Sequence, residues 1–136
     1  MTTPYQRLCN TFQSKRRDRL ASHLSSCYHW PTAKAHRTID EYVMFLYVAS
    51  RHLDTHLVPT QAVDYVWEAD ILQNTVQYIQ TCQSLCGEVI NHTRNVSLVT
   101  SASTKSTKAA FNHTQGLLAQ YFGERLSGDI AACGVL

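Results

Sequence analysis

Glycine and proline are scarce in this chain, with five and three residues among 136. So few turn-forming residues exclude a β-sandwich or β-barrel rich in tight turns, and they favour long helices. Charged residues make up only 16% of the chain, while hydrophobic residues make up 44%. This balance excludes an intrinsically disordered protein and predicts one globular domain with a substantial core.

The chain also lacks a long apolar run. No stretch reaches the roughly 18 apolar residues that span a bilayer, and the first twenty residues have no apolar core of a secretory signal. We therefore expect no transmembrane segment and a cytoplasmic, reducing location. The five cysteines are an odd number, which argues against a complete set of disulfides and predicts free thiols.

Excess charge of one sign is missing as well, since the formal net charge is +2. The one basic cluster comprises Lys15, Arg16, Arg17 and Arg19 around Asp18. Such a cluster on a helix is usually a solvated face. A nucleic-acid partner is therefore unlikely from the sequence, and its binding would be strongly salt-dependent.

Apolar residues recur every three to four positions, the period of amphipathic helices. This pattern predicts an all-α fold, a single up-and-down bundle of about four helices. The predicted helices run from Tyr5 to about Cys27, from Thr38 to about His56, from Thr60 onward, and from Thr107 to Arg125. Gly87 either ends the third helix or marks a break in it about five residues before His92.

Capping residues and composition set the predicted boundaries. Thr38 and Glu41 have the spacing of a capping box, and Thr60 is a good N-cap. The Ser/Thr-rich segment from Asn95 to Thr107 predicts a mobile connection. We divide the chain into an N-terminal helix and connection (1–37), a helical core domain (38–125) and a flexible tail (126–136) that is either disordered or loosely docked.

Two pairs of potential ligands flank the predicted turn at Pro59. His52 and His56 lie one helical turn apart, and Asp64 and Glu68 repeat that spacing on the next helix. If the two helices fold back on each other, these four side chains converge and suit a divalent metal ion. They equally suit acid–base chemistry, or hydrogen bonds between polar helix ends. No other cofactor is indicated.

Other reactive-looking residues of the third predicted helix are assigned to packing. Cys82 would lie roughly 33 Å along the helix from its start, and Cys86 further still, too far from the two histidines to share a zinc ion. They are predicted to be core residues. Trp67 is predicted to anchor the core, and Asp70, at the edge of the apolar stripe, to pair with a histidine or arginine of another helix.

The region around Trp67 resembles the glycine-rich domain-containing family of helical proteins, over roughly residues 38–125. The residues that carry the resemblance are Pro59, Thr60, Val63, Asp64, Val66, Trp67, Ile71, Leu72, Thr75, Tyr78, Cys82, Gly87 and His92, with Tyr121, Phe122 and Gly123 further along. Glu68 and Asp70 replace the two histidines of the family's Trp-His-x-His signature. One residue is inserted near Gln73 and Asn74.

What the resemblance implies is a helical scaffold whose paired histidines look like a metal or acid–base site. Carboxylates in their place favour harder ions such as Mg²⁺ or Ca²⁺, so a histidine-dependent activity does not carry over.

Our first hypothesis is a non-catalytic adaptor or regulator that binds another protein. The alternative is a divalent-metal-binding protein or metal-dependent hydrolase using His52, His56, Asp64 and Glu68. The oligomeric state stays open.

Overall fold

Six helices and one short strand pair make up the described part of the chain. The computed structural model describes residues 2–94, 101–131 and 133–135. The elements are α1 (Pro4–Thr11), α2 (Ser14–Tyr28), α3 (Thr32–Arg51), α4 (Gln61–Gln73), α5 (Thr75–Cys86), β1 (Thr93–Arg94), α6 (Ser101–Phe122) and β2 (Cys133–Gly134). The predicted all-α class is confirmed, but six helices replace the predicted four.

The first predicted helix is broken between α1 and α2. Thr3 caps α1 through a capping box with Gln6, and the helix ends at Thr11. Ser14 then takes a left-handed φ of 55°, which costs a non-glycine residue about 1 kcal/mol. Phe12 at this corner is fully buried, with its ring edge-on to Tyr42. The burial of Phe12 offsets the local strain.

Helix α3 starts earlier and ends earlier than the sequence predicts. It begins at Thr32, directly after Pro31, so Thr38 lies inside the helix and its hydroxyl donates to the carbonyl of Lys34. The predicted capping box at Thr38 is therefore wrong. The helix ends at Arg51, with His52 as its C-cap. Its inward face forms the centre of the core, which all five other helices share.

The third predicted helix is two helices, α4 and α5, separated by Asn74. Asn74 has an extended φ of −158°, and its side-chain oxygen accepts from the backbone N–H of Gln77, 3.0 Å away. Of the two predicted roles of Gly87, the structure has the helix end: Gly87 adopts a φ of 80° and its N–H donates to the carbonyl of Gln83.

The last segment is docked, which is one of the two alternatives predicted for the tail. Its backbone pairs with the connection between α3 and α4, through Val135 with Leu57 and through Ala131 with Pro59. These bonds satisfy backbone groups that no helix covers. At Gly134 only glycine fits, because a Cβ would lie 2.4 Å from the Leu57 carbonyl oxygen. β2 then pairs antiparallel with β1.

The predicted mobile connection after Asn95 falls, up to residue 100, outside the described residues. Helix α6 begins at Ser101, six residues before the predicted start. Within the described ranges, none of the helices combines the length and the apolar character needed to cross a membrane.

Candidate metal centre

Three potential metal ligands meet beside the start of α4. Asp64, Glu68 and His92 each place one ligand atom within 4.8 Å of the other two. His92 Nε2 lies 2.7 Å from an Asp64 oxygen and 3.9 Å from a Glu68 oxygen. Among the residues that the structure describes, they form the one group of at least three such ligands.

The two carboxylates owe their positions to the first turns of α4. The Thr60 hydroxyl caps this helix by accepting from the N–H of Val63. Asp64 follows in the first turn, where the positive end of the helix dipole favours a carboxylate. Glu68 lies four residues later and therefore on the same face.

His92 lies on a connection, yet buried contacts hold it on both sides. The Trp67 indole N–H donates to the Tyr78 hydroxyl at 2.9 Å, and this hydroxyl donates to the Ile90 carbonyl at 2.6 Å. Ile90 is buried, and β1 starts directly after His92. The His92 ring stands edge-on to Trp67, with the ring centroids 4.4 Å apart. These contacts orient the imidazole toward α4.

The three ligands differ in exposure, and this gives the site a closed and an open side. The side chains of Asp64 and His92 are 9% and 15% exposed, while that of Glu68 is 43% exposed. Tyr28 stacks on Tyr65 nearby. Burial, and next the negative charge of Glu68, raise the pKa of the Tyr28 hydroxyl. The site thus opens beside an aromatic surface.

Of the four residues predicted to converge, the structure brings together Asp64 and Glu68, with His92 in place of the two other histidines. His52 Nε2 lies 3.0 Å from the Tyr121 hydroxyl. His56 lies beside β2, where its Nε2 is 3.4 Å from the position a Cβ on Gly134 would take. The tail therefore lies beside His56 and the connection between α3 and α4, where the sequence predicts the metal site.

Asp70, the other carboxylate at a replaced histidine position, belongs to a buried network. It receives two hydrogen bonds from Arg16, of 3.0 and 2.8 Å, and a third of 2.7 Å from the Tyr42 hydroxyl. Arg16 also donates to Thr81. The predicted pairing of Asp70 with an arginine is confirmed. The predicted solvated position of Arg16 is wrong, because this residue is only 4% exposed.

Two other arginines of the basic cluster and the cysteine pair of α5 take part in contacts within the fold. Arg17 pairs with Asp40, and Arg19 donates to the side chain of Gln77. Cys82 is buried, as predicted, and burial raises the pKa of its thiol, so it is a poor nucleophile. The Cys86 thiol donates to the Cys82 carbonyl.

Comparison with known protein families, with curated proteins and with solved structures finds no match to this chain. The likeness of the Trp67 region to the glycine-rich domain-containing proteins therefore stays a prediction from the sequence. Arguments about function depend on the geometry of the chain itself.

Proposed function

We propose that this protein binds one divalent transition-metal ion through Asp64, Glu68 and His92. The convergence of three ligand atoms from two separate segments to within 4.8 Å carries this proposal. Two carboxylates alone would favour Mg²⁺ or Ca²⁺, whereas an added imidazole favours first-row transition ions. Zn²⁺ and Mn²⁺ suit both kinds of ligand and are the ions to test first.

The spacing of the ligand atoms supports a small first-row ion. Ligand atoms about 2.1 Å from a tetrahedral ion lie roughly 3.4 Å from one another. His92 Nε2 is 0.5 Å beyond this spacing from Glu68 and 0.7 Å inside it from Asp64. These two separations lie on either side of the tetrahedral value, and a bound ion would replace the Asp64–His92 hydrogen bond by two metal–ligand bonds.

The surroundings of the ligands support a prearranged site. Trp67 lies against the His92 ring, and the Tyr78 hydroxyl holds the segment that carries His92. Such supporting contacts are typical of metal sites, where they orient the ligands. Three protein ligands leave a coordination position for water, the arrangement in which zinc activates water for hydrolysis.

The test is metal binding by purified protein stripped with a chelator and titrated calorimetrically with Zn²⁺ and Mn²⁺. We expect one ion per chain in the wild type. Glu68→Ala should weaken binding at least tenfold, and the fold should persist because Glu68 is half-exposed. Glu88→Ala, which removes an exposed glutamate outside the cluster, is the matched control and should bind like the wild type.

Two results would overturn the metal proposal. One is a wild-type protein that binds neither ion in the titration. The other is equal loss of affinity in Glu68→Ala and Glu88→Ala, which would indicate a general effect of surface charge.

The second candidate is a protein-binding adaptor, favoured by an exposed apolar pair at the junction of α4 and α5. Leu72 is 80% and Val76 65% exposed. Side chains this exposed and this apolar become buried when a partner protein covers them, which removes their apolar surface from water. A photo-crosslinking residue at position 76 should capture one protein in cells, and Leu72→Ser should reduce this capture. A crosslinker at the exposed Lys15 is the control, and the same protein captured equally from both positions would contradict the adaptor hypothesis.

A further inference from the structure

A cavity of about 140 Å³ lies between α1, the end of α3 and α5, away from the three proposed metal ligands. Two arginines, Arg7 and Arg51, line it from opposite elements, together with the hydroxyl-bearing residues Thr11, Thr81 and Ser84. None of the lining residues is acidic, and the sequences of α1 and α5 contain neither Asp nor Glu. The cavity is therefore positively charged.

Both arginines lack a carboxylate partner among the described residues, in contrast to Arg16 and Arg17. One Arg7 nitrogen donates to the Thr2 carbonyl, which leaves the rest of the guanidinium for a ligand. The Arg51 guanidinium lies 5.8 Å from the centre of the Tyr47 ring. Each guanidinium thus has a neighbour that orients it, the Thr2 carbonyl or the Tyr47 ring, and no carboxylate of the described residues neutralises its charge.

The hydroxyl groups divide into engaged and available donors. The Thr81 hydroxyl accepts from Arg16 and donates to the Gln77 carbonyl, and the Thr11 hydroxyl donates to the Leu8 carbonyl. The described residues include no hydrogen-bond partner for the hydroxyl of Ser84. Ser84 therefore offers the cavity a neutral donor in addition to the two cationic ones.

We propose that this cavity binds a phosphate group, either as inorganic phosphate or on a small phosphomonoester. Arginine forks donate two parallel hydrogen bonds to phosphate oxygens, and such charge-assisted bonds are strong. The cavity has the volume of about four or five water molecules, which accommodates the five heavy atoms of one phosphate group. The apolar side chains of Leu8 and Leu85 at its edge suit a short organic substituent.

Amide chemical-shift titration of the full chain with inorganic phosphate tests the proposal. Sodium chloride keeps the ionic strength constant, and a chelator excludes phosphate held by a metal ion at Asp64, Glu68 and His92. We expect saturable shifts of the Ser84 and Leu85 amides. Arg7→Gln and Arg51→Gln should each weaken binding about tenfold, the loss expected for one charge-assisted hydrogen-bonding group.

The control is Arg37→Gln, which removes an exposed arginine that does not line the cavity. It should bind phosphate like the wild type.

Glycerol phosphate as a second probe distinguishes the two sources of the phosphate group. Tighter binding than that of inorganic phosphate assigns the cavity to a phosphomonoester, and equal binding assigns it to inorganic phosphate. Linear, non-saturating shifts, or equal weakening by all three arginine substitutions, would overturn the proposal. Because Arg7 and Arg51 are exposed, their substitution leaves the core intact, and unchanged amide spectra elsewhere verify this.

Discussion

Two adjacent arginines of α2 have opposite environments. The side chains of Arg16 and its partner Asp70 are 3% and 2% exposed, whereas those of Arg17 and its partner Asp40 are 17% and 64% exposed. The Arg16 guanidinium also lies 3.9 Å above the Phe12 ring. Both oxygens of Asp70 accept hydrogen bonds, so the buried charges are compensated.

Removal of one partner of the buried pair should be far more costly than removal of one partner at the surface. We expect Arg16→Ala to lower the free energy of unfolding by about 3–5 kcal/mol, because it leaves Asp70 charged and unpaired in the core. Arg17→Ala should lower it by about 1 kcal/mol or less. Urea denaturation followed by circular dichroism measures both.

Replacing both partners by apolar residues isolates the contribution of the two charges to the free energy of unfolding. Arg16→Met combined with Asp70→Leu should recover much of the stability lost in Arg16→Ala, since apolar replacements remove both charges together. Equal effects of Arg16→Ala and Arg17→Ala would contradict the importance that burial gives to the first pair.

The candidate site was only partly predictable at the scale of residues. Asp64 and Glu68 were predictable because their spacing of four is a local property of a helix. His92 lies 24 residues beyond Glu68, and its position depends on the bond between Tyr78 and the Ile90 carbonyl. No periodicity encodes that contact. The clustering of Arg16 with other basic residues likewise gave no sign of its buried partner.

At the scale of elements, the break at Asn74 brings distant residues together. Trp67 and Tyr78 are eleven residues apart, which is about 16 Å along one continuous helix. The 2.9 Å hydrogen bond between their side chains therefore requires α5 to turn back on α4.

The Asn74 side chain should stabilise this corner as the cap of α5. Asn74→Ala removes the acceptor for the Gln77 N–H and should lower the free energy of unfolding by about 1 kcal/mol. Asn74→Asp keeps an acceptor oxygen and should remain close to the wild type. Urea midpoints of the three proteins provide the measurement, and a loss in Asn74→Asp equal to that in Asn74→Ala would contradict the capping role.

Helix existence was predictable from the apolar period, and the corners were not. The breaks at Phe12 and Asn74 contain neither glycine nor proline, so local propensity carries no strong signal there. At both corners a tertiary contact determines where the helix breaks. It is the packing of Phe12 on α3 at the first corner and the Trp67–Tyr78 hydrogen bond at the second.

At the scale of the whole molecule, the segment after α6 packs against α3 and α6. The Glu41 carboxylate, in the middle of that helix, accepts from the N–H and hydroxyl of Ser127. Both side-chain groups of Gln115 bond the backbone of Leu126. The sequence of the tail gives no sign of this packing, because most of its partners, such as Glu41 and Leu57, lie far away in the chain and local composition does not reveal them.

The closed fold also buries phenol and thiol groups, and this predicts weakening at high pH. Burial is the main cause of the raised pKa of Tyr5, Tyr42, Tyr78 and Cys82. For Tyr42 the negative charge of Asp70 adds to this effect. These groups stay protonated in the folded chain at a pH where the unfolded chain loses its protons.

Their contribution to stability is therefore complete below the pKa of the unfolded groups, about 8.5 for Cys and 10 for Tyr, and declines as the pH rises toward the folded values. For the fully buried Tyr42, the expected slope above about pH 10 is roughly 1.4 kcal/mol per pH unit. Urea denaturation at stepped pH under reducing conditions measures the slope.

Tyr42→Phe removes one titrating group, so its free energy of unfolding should fall less steeply with pH than that of the wild type. At neutral pH this free energy should be lower than in the wild type, because the hydrogen bond to Asp70 is lost. Parallel declines in the two proteins would show that Tyr42 ionisation does not contribute to alkaline unfolding.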